Sequence, residues 1–343
     1  MVGTDIAIDL GTANFRLFMD GRGVLVNEPN VIAVDTYEDK IVAIGQSAQE
    51  MMGKTSARIR VVKPMAGGVI SDFSLMDATI RNYLKQVMTS RVFTPRVVVT
   101  VPSGITEVER RAVVDAIAAN GVRKICLLEA PAAAAIGAGI DITRPHGTMI
   151  VVLGEGVSDA GVISMNGLSA SRSVAAAGAS FNEAIIKYAR KHFDLVIGDR
   201  TAEAAKRAAG CASPMKQMKS FDLKGRDLQS GLPTKVTVTS DQLCEAIKEP
   251  AMRVVRMIQT ALEETPPELM ADIGNEGILL AGGSAHLSGL DTLIAQMTRM
   301  RVRVLEDAEN CVILGAGRAV QWIDKAKYDP KNGNRTTPLT AYY

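Results

Sequence analysis

Two short stretches of this sequence carry the residue types that hold phosphate. The first, Asp9-Leu-Gly-Thr-Ala-Asn14, sits between the apolar runs that begin at Ile6 and end at Met19. Gly11, Thr12 and Ala13 are small enough to turn consecutive backbone N–H groups and one hydroxyl toward phosphate oxygens, with Asn14 closing the loop. Asp9 can hold Mg²⁺ through water, which suits a hard cation that keeps its hydration shell. About half a chain later the pattern returns: Met149–Leu153, then Gly154-Glu155-Gly156, then Ala160–Ile163. Here a carboxylate, Glu155, stands where the phosphates would lie. Apolar runs flanking a glycine-bearing turn predict a β-hairpin at each place. The same residues also make ordinary tight turns, so neither stretch decides the chemistry alone.

Two further clusters could complete a ligand site. Glu203-Ala204-Ala205-Lys206-Arg207 has helical character, and residues three apart share a helix face, so Glu203 and Lys206 can reach one edge of a ribose or base. The same spacing describes a solvated ion pair, which is the commoner use. Gly282-Gly283-Ser284-Ala285-His286 ends an apolar run. Glycines there allow close backbone approach to a planar or anionic ligand, or serve the packing of the following helix. His286 suits a capping or surface role better than a catalytic one. His146, His192 and His286 are scattered, as are Cys126, Cys211, Cys244 and Cys311, so no metal-ligand spacing is present. The cysteines read as free buried thiols of a reducing cytoplasm.

These residues need a scaffold of some size. A chain of 343 residues is long for one core and implies two domains. A net charge of +2 forces no basic face and gives no reason to expect nucleic acid. No apolar run approaches the ~20 residues that span a bilayer, and the chain enters a strand almost at once, which argues against a signal peptide.

After the first hairpin, residues 35–63 read as a small insert of short strands and a helix around Ala48–Met52. Helices are expected from Ser74 to Met88 and from the capping box Thr106-Glu-Val-Glu109 to Asn120. Buried strands are expected at Val97–Val101 and Ile125–Leu128, and an alanine-rich helix opens at Pro131. Alternating strand and helix gives βαβ units and a parallel sheet. The second half repeats the order, with helices at Phe181–His192, Ala202–Ala209, Leu243–Leu262, Leu287–Met297 and Ile313–Ile323. Strands are expected at Lys235–Val238 and Gly277–Ala281. Residues 324–343 read as a mobile tail. The fold class is therefore α/β, in two related halves, each with a small insert.

The clusters lie in the order found in one family. The sequence resembles the actin superfamily of nucleotide-binding proteins, which includes sugar kinases and heat-shock chaperones, and within it the MreB family of bacterial actins. The resemblance covers nearly the whole chain. It rests on Ile8–Asn14, Asn27-Glu-Pro29, Gly68–Asp72, Val108–Arg111, Ala133–Gly139, Thr201-Ala-Glu203, Thr265–Leu269 and Leu280–Gly283 together. It implies an actin-like fold, a duplicated ribonuclease H-like core with two domains around a nucleotide cleft. The implied subdomains are IA (1–33, 67–143 and 320–343), IB (34–66), IIA (144–179 and 245–319) and IIB (180–244). It also implies ATP or ADP with Mg²⁺ as ligands.

Departures from the family pattern fall on the chemistry. By the resemblance, an aspartate that helps hold Mg²⁺ and the lytic water falls on Val152, and a threonine falls on Val157. A glutamate that orients the attacking water falls on Ala130, and a phosphate-loop glycine falls on Glu155. Ser158 and Asp159 are milder changes. In-line attack on a γ-phosphate needs a positioned water and neutralised charge. Loss of a water-positioning carboxylate costs roughly 10²–10⁴ in rate. An anion about 4 Å from a phosphate oxygen costs several kcal/mol at an effective dielectric of about 20. The expectation is a retained nucleotide cleft with hydrolysis reduced or lost, the alternatives being an active ATPase with rearranged ligands or a soluble kinase- or chaperone-type ATPase. The small inserts disfavour the last.

The resemblance further implies self-association into filaments, alone or with another MreB, by head-to-tail contacts that do not close. It implies cell-wall elongation machinery as a partner, and a cytoplasmic location at the inner face of the membrane. Val92 and Phe93, apolar in a loop and flanked by Arg91 and Arg96, are the expected membrane contact; each is weak alone and strengthened by repetition along a filament.

Overall fold

A computed structural model of the chain describes residues 5–88, 95–122, 124–326 and 338–342. The first half opens with β1 (Asp5–Leu10), β2 (Asn14–Met19) and β3 (Gly23–Pro29), an antiparallel meander. The insert follows: β4 (Ile32–Asp35), β5 (Lys40–Ile44), α1 (Gln46–Met51) and β6 (Ile59–Val62), with the three strands forming their own sheet. A small hairpin, β7 (Met65–Ala66) and β8 (Val69–Ile70), leads to α2 (Phe73–Val87), capped by the Asp72 carboxylate. Then come β9 (Arg96–Val101), α3 (Glu107–Ala118), β10 (Lys124–Glu129) and α4 (Ala130–Gly137). The Thr106–Glu109 capping box forms as its spacing predicts.

The second half repeats this plan. Its meander is β11 (Thr148–Leu153), β12 (Ser158–Ser164) and β13 (Gly167–Val174), followed by α5 (Gly178–Phe193). The second insert holds β14 (Leu195–Val196), α6 (Asp199–Ala209), β15 (Ser220–Asp227) and β16 (Pro233–Thr239). The chain continues through α7 (Ser240–Glu263), α8 (Pro267–Glu276), β17 (Ile278–Ala281), α9 (Leu290–Thr298), β18 (Val302–Val304) and α10 (Cys311–Ala319), and the described residues end on β19 (Thr340–Ala341). Sheet orders are β19-β10-β9-β1-β2-β3 and β13-β12-β11-β17-β18. With β19 removed, the two orders correspond strand for strand, so the repeat visible in the sequence is a repeat of topology.

Strand periodicity explains the layering. On the first sheet Ile6, Ile8, Val97, Val99, Ile125 and Leu127 face one core, while Ala7, Val98, Cys126 and Leu128 face another. On the second sheet Met149, Val151, Ile278 and Leu280 face outward to α5 and α7, while Ile150, Leu279 and Ala281 face the same shared core. That shared core is filled by α4 and α10, whose small residues let them pack closely between the halves. A Cβ on Gly315 would overlap the Ala133 carbonyl, and one on Gly137 would overlap the Cys311 carbonyl.

Three expectations are corrected. The tail is not wholly without structure: β19 pairs antiparallel with β10, and Leu339 and Ala341 are buried. Cys244 is half-exposed, although all four cysteines are free. The helix expected at Ile313–Ile323 ends at Ala319 and tightens into a short 3₁₀ turn. Val92 and Phe93 lie outside the described residues.

Candidate functional site

Between the halves lies a cavity of about 620 Å³. The ends of both first hairpins open into it, and hairpin register fixes what each presents. Asp9 is paired across strands with Arg16, and Val152, at the corresponding place in the second hairpin, with Asp159. All four line the cavity. Asp9 is held by two contacts: Arg16 Nη1 at 3.1 Å on Oδ2 and the Thr100 hydroxyl at 2.7 Å on Oδ1. These two contacts fix the orientation of its carboxyl group.

The first loop is fixed from behind. Asn30 donates its side-chain amide to the Gly11 carbonyl at 2.9 Å and its backbone N–H to the Ala13 carbonyl at 2.8 Å. Asn14 donates to the Asn27 side chain at 3.0 Å. Thr12 accepts the Gly68 N–H at 3.2 Å. The loops of the two halves come so close that a Cβ on Gly156 would overlap the Thr12 hydroxyl.

The second loop is anchored within its own half. Ser284 Oγ donates to the Gly154 carbonyl at 2.6 Å, and the N–H groups of Gly178 and Ala179, at the start of α5, reach the carbonyls of Gly154 and Glu155. The Glu155 side chain turns the other way. It meets Lys63, just after β6 in the first insert, at 2.5 Å between Nζ and Oε1. The repulsion expected from Glu155 is thus answered by a cation from the opposite half. Glu155 Oε2 is buried with no hydrogen-bond partner.

Below this loop the floor is aliphatic, with Ala130, Val152 and Val157 all lining the cavity. Asp159 is the buried carboxylate beside them, 1% exposed. It accepts the Ser103 N–H at 2.8 Å, the Ser103 hydroxyl at 2.5 Å and the Ser173 hydroxyl at 2.7 Å. Burial pushes its pKa up to about 6 against the pull of those donors, with Glu129 adding to the rise.

The far wall comes from α6 and the turn after β17. Glu203 joins Lys206 and Arg207, each at 2.6 Å, and accepts from Asn182 at 3.0 Å. Burial works to raise the Glu203 pKa, but Lys206 and Arg207 more than offset it and hold the carboxyl down at about 2. Lys206 also donates to the Gly178 carbonyl at 3.0 Å. The ion-pair reading and the site reading of this cluster are therefore the same arrangement. Gly282, with φ +86°, takes a backbone conformation that disfavours a side chain, and a Cβ there would overlap the Leu153 carbonyl. At Gly283 an added Cβ would meet only the Glu309 side chain, at 3.9 Å, so the backbone there borders the cavity without crowding.

Asp9, Gly11, Thr12, Ala13, Asn14, Gly154, Glu155, Gly156, Glu203, Lys206, Arg207, Gly282, Gly283, Ser284 and His286 all reach the cavity. Ala204, Ala205 and Ala285 are not among its lining residues. Ala205 and Ala285 pack into the core, and Ala204 is exposed on α6, where a methyl group is too short to reach the cavity as Lys206 and Arg207 do. Sequence reasoning missed Lys63, Thr100, Phe181 and Asp199, which also line it. Asp199, in the first turn of α6, carried a signal as an acidic residue at a helix start. Lys63 carried none.

A profile of the MreB/Mbl protein family matches residues 3–328. The chain belongs to the MreB/Mbl family. It is 40% identical over 332 residues to the cell shape-determining protein MreB of Escherichia coli K12, covering 94% of this chain and 95% of that one. It is 38% identical over 326 residues to the cell shape-determining protein Mbl of Bacillus subtilis, covering 95% and 98%. Among solved structures, MreB5 of Spiroplasma citri bound to AMPPNP superposes with a TM-score of 0.90 at 32% identity, covering 95% and 98%. A MamK double helical filament superposes at 0.77 with 17% identity, covering 93% and 98%, a likeness of fold alone. The actin-like fold expected of this MreB/Mbl chain is thus the one it has. Among the described residues no helix is long and apolar enough to cross a membrane, and no group of three metal-ligating side chains forms.

Proposed function

We propose that this MreB/Mbl protein binds ATP or ADP in the cleft and assembles into filaments at the inner face of the cell membrane, with hydrolysis reduced or lost. The observation that carries the reading is the contrast between the two sides of the site. Asp9, Thr12, Thr100, Glu203 and the glycine turns form a cradle of the right size, while Ala130, Val152 and Val157 make an aliphatic floor where water would have to be positioned. MreB5 of Spiroplasma citri, a relative of 32% identity, has been solved with AMPPNP and with ADP. Asp9 is the residue suited to Mg²⁺, through water and alongside nucleotide phosphates, which is how that ion is commonly held. When bound, the ion would offset phosphate charge.

The four-part division into 1–33 with 67–143 and 320–343, 34–66, 144–179 with 245–319, and 180–244 is part of this proposal. Its support is that each insert's strands form a separate sheet. Self-association rests on membership of the MreB/Mbl family. Membrane attachment through Val92 and Phe93, co-assembly with another MreB, and contact with cell-wall elongation machinery rest on family membership.

A second reading, active hydrolysis with rearranged ligands, is favoured by Asp159, a cleft carboxylate with a raised pKa. Against it, Ser103 and Ser173 already occupy both oxygens of that carboxylate. The test measures nucleotide affinity and phosphate release with Mg²⁺ beside the E. coli protein, and pelleting with and without lipid vesicles. Nucleotide binding with phosphate release at least about 10²-fold slower is the expected result. Equal turnover would sink the hydrolysis claim, and absence of filaments under every nucleotide and lipid condition would sink the assembly claim.

A further inference from the structure

The Lys63–Glu155 contact joins residues 92 apart in sequence and spans the cleft from the first insert to the second phosphate loop. Its placement is unusual for a structural ion pair. Lys63 is 32% exposed and Glu155 is 19% exposed, so both are partly withdrawn from water while lining an open cavity. The backbone of the Glu155 loop is fully tied to its own half through Ser284, Gly178 and Ala179. The loop therefore needs no help from Lys63 to hold its shape. Glu155 Oε2 has a buried surface and no partner, so the pair leaves one carboxylate oxygen unsatisfied. A buried, half-satisfied carboxylate is costly, and the pairing with Lys63 is what keeps it tolerable.

Most other cations of the cavity are paired within their own half, whereas Lys63 is paired across the cleft; Arg200, on α6, also lines the cavity. Arg16 is committed to Asp9, and Lys206 and Arg207 to Glu203, on the far wall. Lys63 meets the second phosphate loop at Glu155, and that loop in turn touches the first, Gly156 against Thr12, with all of them lining the cavity. An ammonium in such a place is a point-charge ligand for a phosphate oxygen. The carboxylate now on it presents the same kind of charged oxygen.

We propose that Lys63 is a phosphate-binding residue delivered across the cleft, and that Glu155 is a built-in competitor that occupies it until polyphosphate displaces the carboxylate. The inference rests on the nucleotide-binding reading above for the identity of the ligand. It goes beyond it by assigning Lys63 a role and by making the odd residue of the second loop a regulator of affinity. Without ligand, the chain draws its own cleft together with an internal anion. With ligand, Lys63 changes partner from carboxylate to phosphate and Glu155 is released toward solvent. No covalent step is involved.

The test titrates ATP with Mg²⁺, and separately inorganic tripolyphosphate, into the full chain and three variants: Glu155→Gln, Lys63→Met and the two combined. Glu155→Gln keeps the side chain's shape and removes the competing charge. It is expected to tighten both probes about tenfold or more. Adding Lys63→Met should abolish that gain, while Lys63→Met in the parent chain should weaken binding much less than it does when added to Glu155→Gln. Circular dichroism and thermal unfolding of each variant establish that it is folded. Should Lys63→Met fail to fold, Lys63→Gln replaces it in the same cycle. Unchanged affinity in Glu155→Gln, or a gain that survives loss of Lys63, would overturn the proposal. Tripolyphosphate binding with that pattern but no response to ATP would sink the nucleotide reading and leave the competitor intact. Silence of every chain toward both probes would overturn both.

Discussion

Asp159 brings the residue scale into focus, because its protonation is coupled to folding. Its pKa in the folded chain is raised to about 6 from an ordinary 3.8, chiefly by burial. The folded state therefore holds a proton that the unfolded chain has lost, and stability falls as pH rises from about 4 through about 6. Asp159→Asn should remove that descending limb. Between about pH 4 and pH 7.5 the difference amounts to roughly 2–3 kcal/mol, which chemical denaturation at the two ends will read. An unchanged slope would mean that another group carries it. A second residue-scale prediction concerns the floor. Ala130→Glu with Val152→Asp should raise phosphate release by about 10²-fold or more, the usual scale of positioned-carboxylate help. No rise would place the deficit elsewhere, with Glu155 the first suspect. Most of the first loop and the glycine turns could be read from the chain because their chemistry is local. The Lys63–Glu155 pair and the Ser103 and Ser173 donors to Asp159 could not. They depend on where a cleft brings together residues tens of positions apart, and neither periodicity nor spacing records that.

At the scale of elements, α4 and α10 decide how the halves relate. Both are short and rich in small residues, and they meet between the two sheets at Gly137 and Gly315. Gly315→Ala would drive a methyl group into the backbone carbonyl of Ala133, where no flexible side chain can yield. The expected loss is about 3 kcal/mol or more, at the upper end of overpacking costs, and thermal unfolding measures it. A melting temperature equal to that of the parent would show that the helices can slide apart, and with them the halves. The alanine-rich pattern announced α4, and strand and helix order announced both sheets. Several elements escaped, β7, β8, β13 and β14 among them, and three more show why. β18 is three residues with an arginine before it and one at its centre, too short for a pattern. α8 follows Pro266 and starts on Pro267, and consecutive prolines read as a turn although proline fits a helix's first turn. β19 is two residues whose strand character comes from the exposed edge of β10, not from their own propensity. Leu339, beside it, is 3% exposed, so that short piece of chain contributes to the core.

For the whole molecule the two-fold repeat is the organising fact, and the site is where the repeat is broken. Equivalent hairpins present Asp9 with Arg16 on one side and Val152 with Asp159 on the other. The cradle on one side and the aliphatic floor on the other still meet around one cavity, so the proposed nucleotide would contact both halves. The proposed membrane attachment belongs to the same scale, because two apolar side chains, Val92 and Phe93, would give each subunit only a small contact. Repetition changes the arithmetic: linked weak sites gain about 10²–10⁴ in avidity when geometry lets them engage together. Replacing Val92 and Phe93 by serine should therefore abolish vesicle pelleting of assembled chains while barely altering the feeble binding of dilute monomer. Filament yield in the absence of lipid should be unchanged. If assembled chains bearing both serines pellet with vesicles as the parent does, attachment runs through another surface. If filament yield without lipid falls as well, the loop contributes to subunit contacts, and its apolar residues belong to the filament instead of the membrane.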